Sequence, residues 1–232
     1  MTSLSEAGNT MLDLERAQRM SLTTQVEVRL KNALIIGSLK PGSRLVTKDL
    51  AEQLGTSITP VREALLRLVS SGALVATPAQ AFLVPEISEE RFREINLIRQ
   101  GLEGLAVEKA LEKMTAEDVI TLRKLWENFA QAKESGEVEQ TLVANRIFRF
   151  ELYKLAQMPT LNNLIEQLWV QVGPCFNFLY PQLPKIEQCQ YDYHELMNAL
   201  EARDVQRCVR AVHQVIEDAN DLVGRYYYHS VN

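Results

Sequence analysis

Cysteine and histidine are scarce in this sequence. Three cysteines, Cys175, Cys189 and Cys208, and three histidines are spread through 232 residues, with no CxxC pair. The expectation is buried free thiols in a reducing cytoplasm, without a zinc site. No run of about 18 apolar residues occurs, so no membrane-spanning helix is expected. The opening twenty residues lack a continuous apolar core behind a basic flank, so they read as a polar, frayed segment and not as a secretory leader. HExxH, GxSxG, P-loop and GxGxxG patterns are all missing. With no matched carboxylate pair either, no catalytic residue and no cofactor are expected, and an enzyme is the weaker of the rival readings.

What is present is an ordinary globular composition, 46% hydrophobic and 24% charged, long enough for one large or two modest domains. The net charge of −5 is unevenly distributed. Leu22 to Pro85 carries seven Lys/Arg against four Asp/Glu, whereas Glu86 to Asn232 carries 16 against 23. A cationic module joined to an anionic one suits phosphate binding by one end only.

The cationic module is organised around DLAEQLGTSITPVREALLRL, Asp49 to Leu68. Leu50, Ala51 and Leu54 give a first short helix its apolar face. Gly55 can turn the chain, and Ser57, Thr59 and Pro60 suit the start of a second helix. Val61, Ala64, Leu65, Leu68 and Val69 then make a core stripe. A free helix N-terminus suits phosphate, and in a helix-turn-helix that end of the second helix meets the major groove. The same spacing also fits an ordinary helical hairpin. Ser21 to Ile36 reads as a preceding helix with Val26, Leu30, Ala33 and Leu34 inward. Arg44 and Leu45 begin a short extended piece, and Thr47 is placed to cap the next helix. Ala73–Ala76 and Ala81–Val84 read as the two strands of a wing.

The order LAEQLG-x-S-x-TPVREAL-x-RL, with the preceding GSLKPGSRL, resembles the winged helix-turn-helix of the GntR family of bacterial regulators, from about Leu22 to Val84. The resemblance implies DNA contacts from Lys48, Ser57, Ile58, Thr59 and Arg62, with Pro78, Ala79 and Gln80 at the wing tip. Family members usually carry arginine where Ile58 stands. Isoleucine can only touch a thymine methyl, so the operator should differ from the family's common one.

From Glu89 to Tyr228 the periodicity is helical almost throughout, with helices over Glu89–Met114, Ala116–Ser135, Val138–Gln157, Leu161–Tyr180, Ile186–Ala202 and Val205–Tyr228. The expected fold is therefore mainly α: a winged helix-turn-helix over 21–85 after a frayed 1–20, then an antiparallel all-α bundle over 86–232. IRQGLEGLAVEKA, MPTLNNLIEQLW and HELMNALEARD are similar to segments of the ligand-sensing domain of the FadR subgroup. Many such domains hold a divalent metal with one aspartate and three histidines. Here Asn145, Arg149, Tyr193 and Val215 stand at those positions, with His194 and His213 nearby. Arginine cannot ligate a metal, so no metal site is expected.

Arg149, helped by Arg99, Asn145 and Tyr193, instead suits a small carboxylate-type effector. The alternative is a purely structural pair of Arg149 with a glutamate such as Glu103. The resemblance implies a cytoplasmic regulator of exopolysaccharide or biofilm genes, acting as a homodimer on a pseudo-palindromic duplex operator. Phe176, Phe178, Tyr180 and Tyr226–Tyr228 are offered as dimer-surface residues. The alternative function is a helical interaction protein whose helix-turn-helix grips a protein partner.

Overall fold

The structure, a computed structural model, describes residues 21–78, 81–179 and 194–229. The N-terminal segment 1–20, the wing-tip residues Ala79 and Gln80, and Tyr180, Cys189 and Tyr193 lie outside them.

The chain begins with α1 (Leu22–Ile35), capped by Ser21, whose Oγ accepts from the Thr24 backbone N–H at 3.1 Å. Strand β1 (Arg44–Val46) leads into α2 (Thr47–Gln53), and α3 (Ile58–Ser70) follows the corner. Gly55 makes that corner with φ +61°, a conformation that would strain any residue bearing a Cβ. Thr47 does not cap α2 as its sequence position suggested: it is the first residue inside the helix, and Val46 holds the cap position. Val61, Ala64, Leu65 and Leu68 are fully buried against α1.

Strands β2 (Val75–Ala76) and β3 (Ala81–Leu83) form the wing. The central β3 pairs antiparallel with both β1 and β2, with Leu45 opposite Phe82. The short extended piece at Arg44 thus closes a three-stranded sheet.

The second module consists of α4 (Glu89–Lys113), α5 (Ala116–Ser135), α6 (Val138–Lys154), α7 (Pro159–Val172), α8 (His194–Glu201) and α9 (Val205–Val223). A capping box at Thr115 and Asp118 starts α5, and Gly136 at φ +74° ends it. The single helix expected over Leu161–Tyr180 is broken. α7 stops at Val172, and Gly173–Phe178 continues as a 3-10 segment. Pro174 has no N–H to extend the α ladder. The last helix likewise changes to a π turn over Gly224–Tyr228.

The two modules meet at that break. Lys31 on α1 pairs with Glu166 on α7 at 3.2 Å, and Asn177 donates to the Gly37 carbonyl. Gly173 lies directly on the last turn of α1. A Cβ there would overlap the Leu34 carbonyl oxygen and stand 2.8 Å from Ile35 Cα.

Among the described residues, Phe176, Phe178, Tyr227 and Tyr228 of the aromatics offered as a dimer surface make contacts within the chain. Phe176 is buried against Trp169, Phe178 stacks on Tyr227 at 4.3 Å, and Tyr228 donates to the Ile87 carbonyl at 2.9 Å. Cys175 and Cys208 are buried free thiols, and burial pushes each up to about 12, so neither is a reactive thiolate at neutral pH. Among the described residues, no helix is long and apolar enough to cross a membrane.

Candidate nucleic-acid interface and buried arginine cluster

The core stripe of α3 fixes what its opposite face can do. With Val61, Leu65 and Leu68 inward, Ile58, Arg62 and Leu66 fall one turn apart on the outside. Ile58 and Leu66 are 51% and 45% exposed, a high value for such residues on a helix with an apolar seat available. They line a cleft of about 340 Å³ with Lys48, Arg62 and the wing residues Thr77 and Phe82. Helix α2 presents Lys48 from its first turn, and β3 supplies the far wall.

Ser57 and Thr59 are exposed beside the cleft. Ser57 occupies the N-cap position of α3 in extended conformation, yet its hydroxyl makes no capping hydrogen bond. Ser57 therefore leaves the first-turn N–H groups uncapped at the positive end of the helix dipole. Pro78 is exposed at the edge of the wing, while Gln80 lies outside the described residues.

Ion pairing separates the cations of this module. Arg67 is engaged by Glu27 at 3.1 Å, and Lys31 by Glu27 and Glu166. Glu63, the acidic residue next to Arg62, accepts from the Thr23 hydroxyl at 2.8 Å. Among the described residues, neither Lys48 nor Arg62 has an acidic partner within ion-pair distance. Two cations, an open helix end and an apolar pair on one cleft can neutralise phosphates and touch base edges. Sequence reading missed Leu66. Its signal was present, since it stands four residues after Arg62 and eight after Ile58, off the core stripe.

The second cluster is in the bundle. Arg99 and Glu103 are one turn apart on α4, and Arg149 and Tyr153 one turn apart on α6; all four are buried. Glu103 Oε1 accepts from Arg99 Nε and Trp169 Nε1, each at 2.7 Å, and Oε2 accepts from Arg149 Nη2 and the Tyr153 hydroxyl. Burial by itself would push this carboxyl up. The Arg99 and Arg149 charges, with the Tyr153 and Trp169 hydrogen bonds, outweigh it and hold Glu103 below its ordinary value. Burial also raises the Tyr153 phenol, which stays a neutral donor.

The Arg99 guanidinium lies 4.4 Å from the Trp169 ring centroid and also donates to Asn96 Oδ1 at 2.7 Å. Asn96 in turn donates to Asn220 on α9 at 2.6 Å.

Arg99 and Arg149 are thus brought together, and Val215 lines the same space with Trp169 and Phe176. Asn145 is buried one turn before Arg149, while Tyr193 falls outside the described residues. The space measures about 10 Å³, room for one water-sized sphere. Arg149 therefore pairs with Glu103, the structural partner weighed for it from sequence.

The residues do not fit a divalent ion. The cluster's one carboxylate is saturated by four donors, and two guanidiniums flank it. His213 bonds to the Gln100 carbonyl at 3.0 Å and His194 packs on Trp126, so neither supplies a ligand there.

These two sites correspond to two family models. The model for bacterial regulatory proteins of the gntR family matches residues 22–84, and that for the FCD domain matches residues 94–218. The HTH-type transcriptional regulator McbR of Escherichia coli (strain K12) is 48% identical over 214 residues, 91% of this chain and 97% of its own. The solved E. coli McbR/YncC structure has a TM-score of 0.84 at 46% identity, covering 90% of this chain and 100% of that one. A solved GntR regulator from Rhodococcus sp. RHA1 shares the fold, with a TM-score of 0.71 at 21% identity. An open cationic helix end on a winged helix-turn-helix, set on a matching all-α bundle, is the architecture of one family, and this chain belongs to it: the GntR family of bacterial regulatory proteins, FadR-type, with an FCD domain as its bundle.

Proposed function

We propose that this chain is a sequence-specific duplex-DNA regulator without catalytic activity, working as a homodimer on a pseudo-palindromic operator under the control of a small anionic effector. The observation that carries the DNA reading is the cleft on the outer face of α3, where Lys48 and Arg62 flank Ile58 and Leu66. Ser57 and Thr59 serve phosphate oxygens, Ile58 a thymine methyl, and Gln80 the wing contact. A single module of this size gives modest affinity, and two modules on two half-sites raise it. A protein-gripping helix-turn-helix is the weaker reading, because paired membership in the GntR and FCD families speaks for DNA.

The effector reading draws support from charge. Two guanidiniums, Arg99 and Arg149, meet on the Glu103 carboxylate beside Asn145. A carboxylate or phosphate group suits such a pair of planar cations. The space is too small for such a group, so entry requires its lining, Trp169 and Phe176 included, to move. Both belong to the strip that seats the DNA module through Gly173 and Asn177, which gives the effector a route to it. Control of exopolysaccharide or biofilm genes is the regulon that the family resemblance suggests.

Genome-wide footprinting of the protein on its own chromosome tests the DNA reading. Discrete palindromic sites are expected, and uniform or absent occupancy would remove it. A thermal-shift screen of small carboxylates and phosphates tests the effector. An anion that raises the melting temperature and also changes operator affinity is expected; a screen in which none does both would end that part.

A further inference from the structure

We propose that Glu166 positions the DNA module on the bundle, and that Lys31 of that module and Arg146 of the bundle compete for its carboxylate. The proposal adds a regulation to the operator reading above and rests on it. In the arrangement the structure shows, Lys31 holds Glu166. Lys31 Nζ lies 3.2 Å from Glu166 on α7 and 3.3 Å from Glu27, one turn back on α1, and Glu27 takes Arg67 of α3 at 3.1 Å. One chain of opposite charges thus runs from α3, through α1, to the bundle. The Lys31 and Glu166 side chains are only 21% and 28% exposed, so this pair is less screened than one on open surface. Burial alone would lower the Lys31 ammonium; Glu166 and Glu27 outweigh it and hold the group above its ordinary value.

Arg146 is the rival. Its guanidinium lies 5.3 Å from the Phe150 ring centroid on α6, and Phe150 meets Trp169 edge-on at 5.4 Å. Trp169 stands three residues after Glu166, so the α6 face that carries Arg146 packs on the α7 face that carries Glu166. Partial burial lowers the Arg146 guanidinium, and the Glu166 charge acts against that. Arg146 Nε is buried without a hydrogen-bond partner among the described residues, and so is Asn162 Oδ1, one turn before Glu166 on α7. A desolvated guanidinium without a partner, close to a carboxylate, is a costly arrangement that a change of rotamer relieves. A guanidinium also takes a carboxylate through two parallel hydrogen bonds, which an ammonium cannot do.

Glu166 therefore has two discrete arrangements. On Lys31 it seats the DNA module; on Arg146 it gives up the charged contact between the modules. One side chain with two partners is a bistable element of the kind that coupling between sites requires. Arg146 stands three residues before Arg149 and next to Asn145, so movement of α6 at the buried cluster reaches it. Seated modules hold two helix ends at a fixed spacing for two half-sites, so the Lys31 arrangement is the one that binds the operator.

Fluorescence anisotropy of the full chain on its footprinted operator, and on the same duplex with one half-site scrambled, tests this, with circular dichroism to verify folding. Lys31→Met hands Glu166 to Arg146 and should weaken operator binding about tenfold while leaving the single half-site duplex unchanged. Lys31→Arg keeps the pair and should bind as the wild type does. Adding Arg146→Met to Lys31→Met removes the rival and should recover most of the loss. The same Arg146→Met in a Glu166→Gln chain should change nothing, because the contested carboxylate is gone. A purely structural Arg146 predicts no recovery, or a further loss, in the Lys31→Met chain, and either result would overturn the competition. So would a Lys31→Met chain that binds the operator normally, or one that weakens on both duplexes alike, which would make Lys31 a phosphate contact. A wild type that binds the two duplexes equally would instead remove the two-half-site reading, and the proposal with it.

Discussion

Arg99 donates from Nε to Oε1 of Glu103 at 2.7 Å, one turn along α4 and closed off from solvent. A buried carboxylate held by two guanidiniums is costly to break from one side, because the partners stay buried and uncompensated. Glu103→Gln is therefore expected to destabilise the fold by about 3–5 kcal/mol, read from urea unfolding at neutral pH. The pH dependence has a definite sign. The folded carboxyl lies below its ordinary value of 4.5, so its contribution is full above that value and is lost as pH falls through the folded one. The variant should show a flatter acid limb than the wild type; identical limbs would mean that Glu103 is not ionised in the fold.

Ile58 sets a base preference. Ile58→Arg is expected to move one operator position from thymine toward guanine, with discrimination of about 1–3 kcal/mol. Selection from a randomised duplex pool, run on both proteins, checks this; an unchanged consensus would take Ile58 out of the groove.

Lys48 and Arg62 should separate by kind of loss. Lys48→Ala is expected to weaken all duplexes alike and lower the salt slope by about 1. Arg62→Ala, if it reads a base, should cost about 1–3 kcal/mol on the operator and far less on unrelated sequence. Equal losses on both duplexes would assign Arg62 to phosphate.

Gly173→Ala addresses the junction of the two modules. Its Cβ would press on backbone atoms of Leu34 and Ile35, which cannot rotate away as a side chain can. Overpacking of this kind is expected to cost about 1–3 kcal/mol, again from urea unfolding. A neutral variant would show that the modules separate freely there.

The DNA module was legible because its elements announce themselves: the stripe from Val61 to Val69 has helical period, and Gly55 and Gly72 both sit at positive φ where the chain must turn. The bundle helices were legible for the same reason, but their ends were less so. The break after Val172 has a local signal in Pro174, which the helical period over Leu161–Tyr180 masked; the contact of Gly173 with α1, more than a hundred residues earlier in the chain, no local pattern records. The Glu103 cluster was half visible. Arg149 stood out against the family's metal pattern, yet α4 carries Asn96, Arg99 and Glu103 on its inward face, where periodicity looks for apolar residues. Nor could charge counting tell Arg62, which has no acidic partner among the described residues, from Arg67, since Glu27 reaches Arg67 from another helix.

The most direct test is equilibrium binding of the wild type to its footprinted duplex and to a scrambled duplex, by fluorescence anisotropy over a range of salt. The account predicts linear loss of log affinity with log salt on both, with the operator tighter by about 10³-fold or more. Binding that ignores salt, or that treats the two duplexes alike, would contradict it.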